Sequence, residues 1–127
     1  MTDSTEETTG FADAEAVKKT IVAWTQALLD GRYMTWLDYW DQDCLLMPPD
    51  HATLEGHDQV LAFARESLAG AGEFEFTDWR IEGQGHMAAV ANHIRWGDNR
   101  VRQMIALRRR AKGWKVQMVM INNEAGE

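Results

Sequence analysis

Hydrophobic positions along the chain follow two different periods. Before about residue 70 they recur every three or four residues, as on one face of a helix. From Glu73 onward they alternate with polar positions, as in half-buried strands. This change of period predicts helices in the first part of the chain and an antiparallel meander in the second, which is an α+β plan.

Three helices are predicted in the first part. The first runs from about Asp13 to Asp30, and Gly31 follows it where a C-terminal glycine cap belongs. Its apolar face carries Val17, Ile21, Trp24 and Leu28. A short second helix places Tyr33, Trp36, Leu37 and Trp40 on one face, and Gly56 opens the third helix.

About six strands are predicted. Two short ones, Cys44–Met47 and Ala52–Glu55, lie on either side of a turn fixed by two prolines. Four longer ones, separated by turn residues, are Phe74–Glu82, His86–Trp96, Val101–Arg109 and Trp114–Asn122. One face of this sheet should pack on the helices. The other is expected to carry Val90, Ile94, Val101, Ile105, Val116 and Met118, and so to pair with a second copy in a homodimer.

Composition narrows the class of protein. A chain of 127 residues fits one domain, predicted over residues 11–127 after an acidic, disordered leader of residues 1–10. The net charge of −7 and the lack of a glycine-rich phosphate loop disfavour nucleic acids and nucleotides. No apolar run reaches the ~20 residues of a membrane span, and the acidic start differs from a signal peptide. We therefore expect a cytoplasmic protein without membrane contact.

Cysteine and histidine spacing gives no metal or cofactor prediction. Cys44 is the only cysteine, so no disulfide framework or cysteine-based metal site is expected. The histidines show no recognised ligand spacing. Six tryptophans and seven methionines are many for this length, and both residue types suit the wall of an apolar cavity or an interface as well as a core.

Three segments resemble a known family. They are the helix end Ala27–Gly31, the strand region Asp41–Pro48 and the helix entry Leu54–Val60. Together with the order of elements, they resemble the nuclear transport factor 2-like superfamily in its SnoaL-like and ketosteroid isomerase-like branch. The resemblance implies a cone-shaped α+β fold, with three N-terminal helices packed on a strongly curved, mainly antiparallel sheet that encloses a conical pocket.

The resemblance carries over little catalytic machinery. Trp24 matches the position of the oxyanion-binding tyrosine of steroid isomerases, and Pro48 matches that of the general-base aspartate, with Asp50 two residues later. Ala106 matches the position of the second aspartate. Since that mechanism needs a base and an oxyanion hole together, steroid isomerase activity is not expected. His93 matches the catalytic histidine of polyketide cyclases, whose aspartate partner also falls at Ala106.

His93 and Asp50 are the catalytic candidates. His93 shares strand parity with Arg95 and with small residues that would leave room for a ligand, so we expect its imidazole in the cavity as a general base. The predicted ligand-binding residues are Trp24, Trp36, Tyr39, Arg95, Met104, Ala106, Val119, Ile121 and Asn123. This lining favours a small, mostly apolar molecule that bears one or two oxygens.

Two functions are left open by the sequence. The first is a cofactor-free isomerase, dehydratase or cyclase acting on a hydrophobic carbonyl compound. The second is a non-catalytic module that binds a hydrophobic ligand or serves for dimeric association. A cavity with few converging polar groups would favour the second function.

Overall fold

A computed structural model describes residues 6–8, 11–70 and 72–124 and contains three helices and seven strands. The helices are α1 (Ala14–Leu29), α2 (Tyr33–Asp38) and α3 (Gly56–Phe63), which continues into a π-helical turn at Ala64–Leu68. The strands are β1 (Glu6–Thr8), β2 (Trp40–Met47), β3 (Leu54–Glu55), β4 (Phe74–Gln84), β5 (Met87–Trp96), β6 (Asn99–Arg110) and β7 (Gly113–Asn123). The predicted α+β class, with helices first and a meander last, is confirmed.

All seven strands form one sheet in the order β1-β4-β5-β6-β7-β2-β3. The meander from β4 to β7 is antiparallel, as is the β2–β3 pair, whereas β1–β4 and β2–β7 are parallel. The register shifts between Thr77 and Arg80 in β4 and between Ala106 and Leu107 in β6. Such bulges bend strands and increase their twist, so the sheet can curve around the helices.

Helix α1 forms for the reasons that its sequence suggests. Asp13 precedes it and Asp30 ends it, and the next residue, Gly31, has a φ of 73° that a glycine adopts without strain. Val17 and Ile21 on its inner face are fully buried. The predicted helix and its apolar face are confirmed within one residue at each end.

The second helix is shorter than its pattern suggests. We expected Trp40 on the same helical face as Trp36, but α2 ends at Asp38 and Trp40 begins β2. Trp40 is still 98% buried and contacts the Trp36 ring edge to face, with 5.6 Å between the centroids. The indoles of Trp36 and Trp40 are buried whether Trp40 lies on a helix or on an inward-facing strand. The apolar pattern of the sequence therefore did not distinguish the two elements.

The predicted faces of β5 and β6 are reversed, and on β7 the prediction is wrong for Val116. Val90, Ile94 and Ile105 are buried against the helices, so their expected place on the outer face is wrong. The same correction applies to Val101 and Val116, whereas Met118 does lie on the outer face. Residues on β5 and β6 are small or apolar on both faces, and a parity error of one residue moves every side chain to the other face.

The predicted leader lies largely outside the described residues. Of residues 1–10, only Glu6–Thr8 are described, and they form β1 beside β4. Among the described residues, no helix is long and apolar enough to cross a membrane.

An ion pair links the end of β6, at the β6–β7 turn, to the start of β2. The Arg110 guanidinium donates two hydrogen bonds, of 2.8 and 2.9 Å, to the two carboxylate oxygens of Asp41. Asp41 is 94% buried, and these hydrogen bonds hold its pKa below the ordinary value although burial alone would raise it. The His57 ring contacts the carbonyl oxygens of Trp40 and Asp41 at 3.2 and 3.1 Å, which ties the start of α3 to the same strand.

Asp41→Asn should remove a pH-dependent part of the stability. Because the folded-state pKa of Asp41 is lowered, its contribution is present above the unfolded pKa of about 4 and is lost as the pH falls through the folded value. We expect the variant to melt about 3–8 °C below the wild type at pH 7, with the gap narrowing as the pH drops below 4.

Thermal unfolding followed by circular dichroism at several pH values measures both quantities. Asp43→Asn is the matched control, because Asp43 is exposed on the same strand. Equal effects of the two substitutions at every pH would show that the Asp41–Arg110 pair has no special role.

Candidate functional site

A cavity of about 310 Å³ lies between the concave face of the sheet and helices α1 and α2. Volumes near 300 Å³ are at the lower end for small-molecule sites. The lining consists of Trp24, Thr25, Leu28, Trp36, Leu46, Pro48, Pro49, Phe63, Ser67, Leu68, Phe74, Ile94, Trp96, Asn99, Val101, Gln103, Val119, Ile121 and Asn123. We refer to this cavity as the pocket.

The floor of the pocket is formed by the inner residues of β5, β6 and β7. Gln103 lies on β6, with Asn92 of β5 and Ile121 of β7 as its direct neighbours across the ladder. The next row toward the mouth is Ile94, Val101 and Asn123. Gln103 is therefore a polar residue in a mainly aliphatic floor.

The roof is built from tryptophans. Trp24 of α1 and Trp36 of α2 are stacked, with centroids 6.5 Å apart and ring planes 11° from parallel, and Trp40 packs edge to face on both. The indole N–H groups of all three are buried and have no hydrogen-bond partner within the described part of the chain. Buried donors usually find a partner, so this roof is costly for stability.

The mouth is lined by a loop, a helical turn and a hairpin end. Pro48 and Pro49 follow β2, Ser67 belongs to the π-helical turn, and Trp96 and Asn99 flank the β5–β6 turn. Short π-helical segments occur often at functional sites.

Polar groups inside the pocket are few and carry no charge. Of the lining residues, none is an acid, a base, a histidine, a cysteine or a tyrosine. Thr25 and Gln103 belong to this lining and are 94% and 95% buried. The arrangement can surround an apolar molecule and offer it neutral donors and acceptors, but it contains no side chain that exchanges a proton near neutral pH.

Five of the predicted ligand-binding residues line the pocket: Trp24, Trp36, Val119, Ile121 and Asn123. Tyr39 does not line it; it follows α2 and packs, half-buried, against the core. Met104 is 60% exposed and lies with Ala106 on the outer face, so their predicted place in the cavity wall is wrong. The reversed parity explains both errors.

His93 and Arg95 also lie on the outer face, which corrects their predicted position in the cavity. His93 Nδ1 lies 2.7 Å from Asp78 Oδ2, and its side chain is 42% exposed. Arg95 Nη1 lies 3.9 Å from Glu75 Oε1 at the exposed surface. Because the sheet separates these groups from the pocket, neither can act on a molecule held there.

Asp50, the other catalytic candidate, is exposed in the turn after the two prolines and has a φ of 56°. It is not among the lining residues, although the prolines before it are. Aspartate tolerates this left-handed conformation better than most residues, which explains its presence in the turn without a catalytic role.

Sequence reasoning missed Thr25 and Gln103. Gln103 stands between Val101 and Ile105 on one strand parity, and a single amide in an apolar alternation was the available signal. Thr25 follows Trp24 on the buried side of α1. Both residues become conspicuous only when their burial beside the pocket is known.

Metal and thiol chemistry find no support in this arrangement. Over residues 6–8, 11–70 and 72–124, no three His, Cys, Asp or Glu side chains are grouped so that they could hold a metal ion. Cys44 is buried on β2, and this burial raises the pKa of its thiol.

Comparisons with known proteins agree with the fold. Residues 17–119 match the model of the SnoaL-like domain family, so the chain belongs to that family. No curated protein matches the sequence. Three similar solved structures share 20% identity or less with this chain, so their similarity shows the fold alone.

A candidate dehydratase of the nuclear transport factor 2-like family from Streptomyces avermitilis shares 20% identity over 93% of this chain and 100% of its own, with a TM-score of 0.81. A nuclear transport factor 2-like protein of unknown function from Pseudomonas putida shares 18% identity over 87% and 86%, with a TM-score of 0.75. A ketosteroid isomerase-like protein from Erwinia carotovora atroseptica shares 13% identity over 91% and 99%, with a TM-score of 0.74.

His93→Ala and Arg95→Ala should leave the pocket unchanged, because both side chains lie on the opposite face of the sheet. We expect the dissociation constant of a neutral solvatochromic dye such as prodan to change less than twofold in either variant. A fluorescence titration measures it. A tenfold loss in either variant, with an unchanged melting temperature, would contradict this placement.

Proposed function

We propose that this protein binds a small, mostly apolar, oxygen-bearing molecule in the pocket without transforming it. The observation that carries the proposal is a cavity walled by tryptophan and aliphatic side chains whose lining has no titratable group. Its polar side chains, among them the Thr25 hydroxyl and the Gln103 amide, are neutral. A bound oxygen or N–H group can form hydrogen bonds with them.

The enzymatic alternative lacks a proton acceptor at the pocket. Isomerases, dehydratases and cyclases of the predicted kind abstract a proton next to a carbonyl, which requires a base within hydrogen-bond reach. His93 is separated from the pocket by the sheet, and Asp50 is exposed in a turn. The descriptions dehydratase and ketosteroid isomerase-like apply to the similar proteins and assign no activity to this chain.

Ile121→Trp should block the pocket. Ile121 lies in the middle of the lining, and an indole there would occupy much of a 310 Å³ cavity. We expect prodan binding to weaken at least tenfold, measured by fluorescence titration. Asn122→Trp is the control, since Asn122 is exposed on the other face of β7. Equal binding by Ile121→Trp and the wild type would overturn the proposal that ligands enter this pocket.

We further propose that the outer face of the sheet pairs with a second copy of the chain. Its centre is a block of two adjacent rows across β5, β6, β7 and β2, which we call the methionine face. One row is Ala91, Met104, Met120 and Met47; the other is Ala89, Ala106, Met118 and Leu45. Three of these methionines are 38–60% exposed, an apolar area that a monomer rarely leaves in water.

Charges around the methionine face suit a second copy. Arg102 and Arg108 border it along β6, while Glu82 and Glu55 border it on β4 and β3. A symmetric pair presents the same patch on both partners, so a border with charges of both signs can pair with itself, whereas a border of one sign would repel.

Met104→Glu should give a monomer, because a two-fold contact would bury two added carboxylates in an apolar centre. Light scattering after size exclusion measures the mass; we expect about twice the chain mass of 14.5 kDa for the wild type and a single chain for the variant. Met34→Glu is the matched control, with an exposed methionine on α2. A monomeric wild type at high micromolar concentration would overturn the dimer.

A further inference from the structure

We infer that the pocket selects its ligand in the uncharged state, and that Gln103 determines specificity by binding a group with both a donor and an acceptor, such as a carboxamide. This inference rests on the proposed binding function and names the ligand class. Arg95 offers no ion pair to a molecule in the pocket, since its guanidinium lies on the opposite face of the sheet.

The requirement for a neutral ligand follows from the lining. A buried charge needs a counter-charge or several hydrogen bonds, and otherwise the group gives up its charge. Among the lining residues there is no lysine, arginine, histidine, aspartate or glutamate. A carboxylate or an ammonium group would therefore lose its hydration on entry and gain no ion pair.

The requirement for a donor and an acceptor follows from the chemistry of Gln103. Its amide offers both a C=O and an NH₂ group, and the residue lines the pocket and is 95% buried. A ligand carboxamide can accept from the NH₂ group and donate to the C=O group, whereas an ester or ether can only accept. Two such bonds in a water-poor cavity favour the carboxamide over its ester.

Asn92 strengthens the case for a polar recognition point. It lies directly opposite Gln103 on β5, is 97% buried, and both its amide atoms lack a partner. Residues on either side of the two amides, such as Ile94, Val101 and Ile105, are aliphatic. The unpaired amide of Asn92 makes the surroundings of Gln103 more polar than the packing of a sheet requires.

Thr25 lines the same cavity from α1 and carries a hydroxyl group. A hydroxyl rotates to donate or accept, so it can complete the hydrogen bonding of a ligand without determining its chemistry. Gln103, with a fixed pair of groups, is therefore the better specificity determinant.

A matched set of naphthalene probes tests the inference. Naphthalene, 2-naphthamide, methyl 2-naphthoate and 2-naphthoate share one ring system and differ in polarity and charge. NMR titration of the tryptophan indole N–H signals at pH 7.5 gives each dissociation constant. We expect 2-naphthamide to bind at least tenfold more tightly than the ester, and 2-naphthoate to bind at least tenfold more weakly than naphthalene itself.

The variant Gln103→Met separates recognition from packing. Methionine is close to glutamine in size but offers no amide, so the preference for 2-naphthamide over the ester should fall from at least tenfold to less than twofold. Gln84→Leu, which changes an exposed glutamine at the end of β4, is the control. If Gln103→Met does not fold, judged by its melting curve, Gln103→Leu takes its place.

Dependence on pH gives an independent measure of charge selection. 4-Nitrophenol ionises near neutral pH and 4-nitroanisole does not, so the ratio of their dissociation constants cancels any titration of the protein. We expect this ratio to rise about tenfold per pH unit above the pKa of the phenol.

The outcomes distinguish the two proposals. If none of the four probes binds, the pocket is not a binding site and the proposed function fails. If a neutral probe binds but 2-naphthoate binds as tightly as 2-naphthamide, or if Gln103→Met keeps the preference for the amide, the binding function stands and this inference is overturned.

Discussion

Alternate side chains of the meander lie on opposite faces of a curved sheet, and only the concave face can pack against the three helices. This constraint assigns the residues of β5, β6 and β7 either to the concave face, which holds the core and the pocket, or to the outer face. Ile94, Val101 and Gln103 belong to the pocket, whereas His93 and Met104 do not. The chemistry available to a bound molecule is therefore decided by strand parity before any individual contact is considered.

The sequence predicted the order of elements more reliably than the sides of the sheet. Helix α1 was predictable because its apolar face is a single stripe with a glycine after its end. Strand β5 reads Met-Ala-Ala-Val-Ala-Asn-His-Ile-Arg-Trp, and its outer side begins with Met87, Ala89 and Ala91, which are no more polar than an inner side. The mistaken place of His93 followed from this ambiguity, which only the packing of Val90 and Ile94 under the helices resolves.

The five pocket residues that were predicted share a feature that the errors lack. Trp24 and Trp36 are large residues on helices with one apolar side, and Ile121 lies on a strand whose outer neighbours include Asn122. In these places the contrast between the faces is strong. On β6, where Arg102, Met104 and Ala106 alternate with Val101, Gln103 and Ile105, both sides mix polar and apolar residues, so Gln103 could not be recognised as an inner residue.

The distribution of buried polar groups favours a binding role for the pocket. The ion pair of Asp41 and Arg110 and the contacts of His57 satisfy buried groups at one end of the sheet. At and beside the pocket, by contrast, the indole N–H groups of Trp24 and Trp36 and both amide atoms of Asn92 have no hydrogen-bond partner within the described residues. Aliphatic replacements would pack this region at lower cost, because an unpaired buried group destabilises a fold whereas an apolar group of similar shape does not. A cavity lined by the neutral amide of Gln103, with no charge in its lining, is therefore better suited to holding a neutral polar molecule than to stabilising the fold.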